Sequence, residues 1–214
     1  MLKLHIWPTP NGKKIFIMAE ELALPYDIHW INIGKDEQFA PEFLAISPNN
    51  KIPAIVDEDA DGGPLSIFES GAILTYLAEK HGRFLAPSGP ARYKALEWLH
   101  WQIGGWGPML GQLGFFAVRS DEKAPLAIKR FTEEAERLLR VLDTRLQAAP
   151  YLAGNEYTIA DMATYTWAVA ADTFLKPVLG EAIAGKQAFR RWLDDVGARP
   201  AVAKAMAIQP PQSA

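Results

Sequence analysis

The chain contains no cysteine. Structural disulfides, thiolate metal sites and a Cys-x-x-Cys redox centre are therefore excluded, and any redox chemistry must borrow its sulfur from a ligand. No apolar run is long enough to cross a bilayer, and the first residues, M-L-K-L-H-I-W, alternate instead of forming the continuous apolar core of a secretion signal. A cytoplasmic protein with no membrane partner is expected. Positive charge is not in excess either: 22 Lys and Arg stand against 25 Asp and Glu, a formal net charge of -3, and no basic run appears. This argues against a nucleic-acid partner and for small or protein substrates. His5, His29, His81 and His100 are scattered singly, with no spacing suited to a metal or a nucleophile-base pair, so no metal is expected. What remains is ordinary globular composition, 49% hydrophobic and 22% charged over 214 residues, enough for one large domain or two small ones.

Leu2, Leu4 and Ile6 alternate with Lys3 and His5, the period of a strand, and Trp7 to Gly12 breaks it. From Lys13 the residues Ile15, Met18 and Leu22 recur at helical spacing, so the intervening loop delivers Thr9 and Asn11 to a helix start. Tyr26 to Ile33 reads as a second strand, followed by Gly34 and a short helical piece at Pro41 to Leu44. A strand after Pro53, an Asp61-Gly62-Gly63 turn, a strand over Leu65 to Ile67 and a helix after Ser70 complete a β-α-β-α-β-β-α order. That order suggests an α/β thioredoxin-like domain over residues 1–83.

Residues 84–90, with Pro87-Ser88-Gly89-Pro90, read as a linker, and residues 91–214 as an all-helical domain. Arg92 to about Leu113 is helical in pattern but interrupted by Gly104, Gly105, Gly107 and Pro108, which bend a helix or admit a neighbour. Pro125 fits the first turn of a helix through Leu146. Thr158 reads as an N-cap with Asp161 in the capping-box position and Tyr157 with Met162 as a hydrophobic staple, a folding motif rather than a catalytic one. Phe189 to Val196 and Pro200 to Met206 are further helical patterns, and the Q-P-P-Q-S-A ending is expected to fray.

Two stretches carry the chemistry, I-S-P-N-N-K-I-P-A-I-V-D at Ile46 to Asp57 and L-S-I-F-E-S at Leu65 to Ser70. Pro53 has no N–H and stands at a strand start. A cis Ile52–Pro53 bond would present the Ile52 backbone to an extended ligand as an added strand. Glu69 and Ser70 fall at a helix N-terminus, where free N–H groups and the helix dipole attract a carboxylate.

With T-P-N-G at Thr9 to Gly12, N-K-I-P-A-I, F-E-S-G-A-I-L-x-Y-L and the later G-G-x-G-P-M-L-G-Q, the chain resembles the cytosolic glutathione transferases. It is most similar to their bacterial Nu class, disulfide-bond reductases that use glutathione. The resemblance implies that Glu69 and Ser70 hold the γ-glutamyl end and that Ile52, beside Pro53, pairs with the cysteinyl backbone. It places Gln38 and Lys51 at the glycine end. The loop after the first strand has neither Tyr nor Ser, so Thr9 and Asn11 are the available donors for the thiolate; the alternatives are a helix cap for Asn11 and a loop residue for Thr9. A-I-K-R-F resembles a helix whose arginine, here Arg130, reaches across a homodimer, with a surface arginine as the alternative. Leu113 to Ala124 shows little likeness to the class.

The function implied is glutathione-dependent disulfide reduction, with glutathione supplying the reactive thiolate and a small disulfide as second substrate. Conjugation to an electrophile or reduction of a peroxide stays open, Trp106, Phe115 and Phe116 being candidates for the pocket wall. A non-catalytic binding or assembly module is the alternative of another class.

Overall fold

The computed structural model describes residues 1–211; the fraying expected of Gln212, Ser213 and Ala214 lies outside them. The chain forms two compact units, Met1–Arg83 joined by the segment from Arg199, and Phe84–Ala198. No helix among the described residues is long and apolar enough to cross a membrane.

In the first unit, β1 (Leu2–Ile6), β2 (Tyr26–Trp30), β3 (Ala54–Asp57) and β4 (Leu65–Phe68) form one sheet in the order β2-β1-β3-β4. β1 runs parallel to β2 and antiparallel to β3, with Leu4 opposite Ile28 on one side and Ile55 on the other; β4 runs antiparallel to β3. A parallel pair needs a crossover, and α1 (Pro10–Glu21) supplies it. β2 is shorter than its apolar run to Ile33 suggests. The Asn32 side chain accepts from Gly34 N–H at 3.0 Å, and this capped 3₁₀ turn over Ile33–Lys35 ends the strand.

α1 starts three residues before its apolar spacing predicts, because Thr9 caps it and Pro10 is already suited to its first turn. Its residues Gly12 to Ala19 are all buried, more than one amphipathic face would bury. After the short α2 (Pro41–Leu44) comes α3 (Ser70–His81), which packs on one side of α1, with α10 (Pro200–Ala207) on another. α10 had been expected to belong to a helical domain running from 91 to 214, but it packs in the first unit. The Lys13 ammonium reaches the carbonyls of Ala205 and Met206 at 3.3 and 3.0 Å and that of Ile208, closing the α10 C-terminus with a cation. Arg199 donates two bonds to Glu21 at 2.6 and 3.0 Å, and Lys204 pairs with Glu20 at 2.7 Å. Burial pulls the Lys13 amine down to about 8.

The second unit is helical: α4 (Gly89–Trp101), α5 (Gly107–Gly114), α6 (Pro125–Ala148), α7 (Ile159–Asp172), α8 (Lys176–Ala184) and α9 (Gln187–Gly197). The glycines of the interrupted pattern are accommodated by a π-helical turn over Gln102–Trp106, and a second π turn, Phe115–Arg119, lies within the stretch Leu113 to Ala124 that showed little likeness to the class. Trp106 is fully buried against Trp101, so it belongs to the core rather than to a pocket wall. The capping box at Thr158 is present. Asp161 accepts from Thr158 N–H, Leu152 N–H and the Trp192 indole at 2.9 to 3.0 Å, so one carboxylate joins α7, α9 and the preceding loop.

Candidate functional site

The loop after β1 is shaped by close packing. A Cβ at Gly12 would sit 2.0 Å from the Trp7 carbonyl oxygen, so the T-P-N-G turn closes only on glycine. Gly12 N–H donates to Thr9 Oγ1 at 3.2 Å, which makes Thr9, not Asn11, the cap of α1. Asn11 sits inside the first turn.

The stretch before β3 is fixed in the same local way. Asn50 N–H donates to the Ser47 carbonyl at 2.9 Å, closing a turn with Asn50 at φ 50°, and the buried Ser47 hydroxyl donates to the Lys51 carbonyl at 2.9 Å. The Ile52–Pro53 bond is cis. Neither the N–H nor the C=O of Ile52 has a backbone partner among the described residues, so a short length of strand edge is open.

The junction of β4 and α3 adds a third wall. Glu69 has φ 72° and ψ 115°, a conformation costing a side-chain-bearing residue about 1–3 kcal/mol and concentrated at functional sites. Its carbonyl accepts from Ile73 N–H at 3.0 Å, while its side chain makes no cap and stays exposed. The N–H groups of the first helical turn therefore gain no side-chain cap from Glu69.

These pieces meet in a cleft of about 180 Å³ lined by Asn11, Lys51, Ile52, Pro53, Glu69 and Ser70, with Asn49 and Phe68 as further neighbours. Six residues singled out from the sequence thus converge. Gln38 is not among the lining residues: it lies in a 3₁₀ turn, Glu37–Phe39, its amide donates to Asp36 at 3.3 Å, and its buried Oε1 has no partner among the described residues. Thr9 is not a lining residue either, standing two residues before Asn11. Arg130 lies on α6 in the second unit, beside a separate hollow shared with Phe131, Glu134, Arg137 and Arg140.

Sequence reasoning passed over Lys14. Its side chain is 1% exposed, and its ammonium donates to Ser70 Oγ at 3.1 Å, behind the cleft. Burial pulls the amine down to about 7, with the Glu69 carboxylate acting in the opposite direction. A readable signal existed: Lys14 sits next to Ile15-Phe16-Ile17-Met18-Ala19, a run with no polar face.

Residues 9–80 match the family model of the glutathione S-transferase N-terminal domain, and residues 107–200 that of its C-terminal domain. The chain is 46% identical to the Disulfide-bond oxidoreductase YfcG of Escherichia coli, over 96% of this chain and 94% of that protein. The chain belongs to the glutathione S-transferase family. A second Escherichia coli relative of the transferase, Disulfide-bond oxidoreductase YghU, is 42% identical over 94% of this chain and 72% of its own. Among solved structures, a glutathione transferase family member from Pseudomonas fluorescens with two glutathione bound superposes with a TM-score of 0.91 at 44% identity, covering 96% of this chain and 92% of that one. One from Pseudomonas putida, with one glutathione disulfide per subunit, gives 0.92 at 40% identity, covering 98% and 92%. The transferase has the thioredoxin-like N-terminal sheet and the helical C-terminal domain of that fold.

Proposed function

We propose that the protein is a glutathione-dependent disulfide-bond oxidoreductase. The observation that carries this reading is the cleft itself. It offers an open strand edge at Ile52, a helix N-terminus at Ser70 with a cation behind it, an exposed carboxylate at Glu69, and no cysteine anywhere in the chain. Those are complements of a peptide thiol with an amino-acid head group, and the sulfur has to arrive with it. The names of the two Escherichia coli relatives favour disulfide chemistry over conjugation.

Each residue then has a task. Ser70 Oγ and the α3 N-terminus hold the γ-glutamyl carboxylate and Glu69 its ammonium. Ile52, placed by Pro53, pairs with the cysteinyl backbone; Lys51 and Gln38 serve the glycine end. Thr9 and Asn11 stabilise the thiolate. A free thiol of pKa about 8.5 is mostly protonated at neutral pH, so donors at the sulfur raise the reactive fraction.

The thiolate attacks one sulfur of the substrate disulfide, the S–S bond breaks, and the departing sulfur takes a proton from solvent. A second glutathione thiolate attacks the mixed disulfide, giving oxidised glutathione and the second substrate thiol. Two glutathiones are oxidised for each disulfide reduced.

The T-P-N-G loop supports placement in the bacterial Nu class, and the exposed Arg130 on α6 supports a homodimer in which it reaches the neighbour's glutathione; the working compartment is the cytoplasm. A monomeric mass in solution would remove the role given to Arg130. The function is tested by glutathione-dependent reduction of hydroxyethyl disulfide, following oxidised glutathione with a coupled reductase. A rate above uncatalysed exchange that is lost in Asn11→Ala is expected. Full activity in that variant at saturating glutathione would sink the thiolate assignment, and glutathione binding with no turnover of disulfide, electrophile or peroxide would point to a binding module.

A further inference from the structure

Of the asparagines at positions 11, 32, 49, 50 and 155, only Asn11 is followed by glycine. The backbone nitrogen after an asparagine can close on the carboxamide carbon, and glycine, having no Cβ, shields that nitrogen least. Replacing the glycine would remove the lability, but a Cβ at Gly12 would stand 2.0 Å from the Trp7 carbonyl oxygen. The backbone forbids that escape. Asn11 in turn lines the cleft and is assigned to the thiolate, so the reactive pair is held by packing on one side and by chemistry on the other.

The fold also restrains the pair. Gly12 is the third residue of α1, so its N–H is one of the four that no intrahelical carbonyl can take, and it donates to Thr9 Oγ1 at 3.2 Å. Asn11 lies inside the first turn and is itself engaged within the protein. Before it can attack, the Gly12 nitrogen must leave Thr9, lose its proton and turn toward the carboxamide. Opening of the first turn is the gate, and helix ends are where local opening is easiest.

We propose that Asn11-Gly12 is a modification site, at which the first turn of α1 deamidates spontaneously through its open state and leaves a folded but inactive protein. The Gly12 nitrogen bonds to the Asn11 carboxamide carbon, the bond from that carbon to its amide nitrogen breaks, and ammonia leaves with the proton. Water then opens the succinimide, giving aspartate or isoaspartate at position 11. No other co-reactant is needed. The loss of activity rests on the glutathione reading above: the product has lost the amide donor and sets a negative charge beside the sulfur. A carboxylate in the first turn of a helix is otherwise welcome, so the aspartate form keeps its fold.

Folded wild-type protein is incubated from neutral to mildly alkaline pH, and position 11 is followed by peptide mass mapping beside disulfide-reductase rate. Conversion is expected to run ahead of that at Asn49 and Asn155, to quicken as pH rises, and to match the fraction of activity lost. Conversion no faster than at those two asparagines, or full activity in converted protein, would overturn the proposal. Thr9→Val should speed conversion about 2- to 30-fold, the range by which losing an N-cap shifts a local opening. An unchanged rate would overturn the gate. Should that variant not fold, urea below the unfolding transition opens the same turn in the wild type and must quicken conversion there.

Asn11→Asp separates charge from unfolding. It should melt no lower than the wild type while losing most of its rate; a melting temperature that fell along with activity would refute the folded, inactive product. Fresh wild-type protein that turned over no disulfide with glutathione would instead refute the glutathione reading, and mass mapping would still decide whether position 11 is modified.

Discussion

Thr9 caps α1 and, in the proposed function, also donates to the thiolate, two tasks that substitution can separate. Its oxygen accepts from Gly12 N–H at 3.2 Å, using one lone pair to cap α1 and leaving the hydroxyl hydrogen for the thiolate. Thr9→Ser keeps both functions. Thr9→Val removes both, and Thr9→Asp keeps the cap but offers no hydrogen and places a second negative charge beside the sulfur. Losing an N-cap costs about 0.5–2 kcal/mol, which for a chain of this size lowers the melting temperature by about 1–8 °C. Losing a hydrogen bond to a charged group costs about 1.5–3 kcal/mol, roughly 10- to 100-fold in rate. Thr9→Val is therefore expected to fall in both measurements. Thr9→Asp should melt like the wild type, react at least as slowly as Thr9→Val, and show less thiolate absorbance from bound glutathione. The decisive comparison is disulfide-reductase rate against thermal melting across the three variants. If Thr9→Asp kept its activity, or if activity simply tracked melting temperature, the role of Thr9 as thiolate donor would be refuted.

Asp161→Ala strands the buried donors Leu152 N–H, Thr158 N–H and the Trp192 indole, each costing about 1–3 kcal/mol. Urea unfolding should show a loss of about 3 kcal/mol or more; a loss below about 1 kcal/mol would mean that water or rearrangement satisfies these groups. His5 is held at about 4, first by burial and then by His29, stacked on it at 4.7 Å, and by Lys3. Its folded pKa lies below the unfolded value near 6.5, so the unfolded chain binds more protons between those limits. Stability is fully kept above about pH 6.5 and falls as pH drops toward 4. His5→Gln should flatten that part of the curve, and an unchanged slope would show that other groups set it.

What the sequence made legible was what lies close along the chain. The Ile52-Pro53 edge and the Glu69-Ser70 helix start each depend on a few consecutive residues, and both are where their motifs put them. The Thr158 cap is a four-residue motif with local partners and is equally readable, though the bond from Trp192 to Asp161 spans 31 positions and is not. His5 and His29 looked solitary because the parallel register that stacks them is a property of the sheet. Lys13 and Lys14 are neighbours in the sequence, and nothing local separates their roles. In the fold they point to different partners, one to the α10 carbonyls and one to Ser70, because α1 is covered on more than one side. α8 was missed altogether, its buried Leu179 and Ile183 being too few to mark a period.

The tie between Lys13 and the last carbonyls of α10 bears on how the protein can be taken apart. The helix that begins at the T-P-N-G loop is completed by a segment entering the chain more than a hundred residues later, so the first unit is discontinuous. A fragment ending at Arg83 would leave Lys13 without those carbonyls and Glu20 and Glu21 without their basic partners. A minimal version of this module has to carry Arg199 to Ile208 along with it, spliced on or added as a peptide. In that sense the end of the chain is a splint for its beginning.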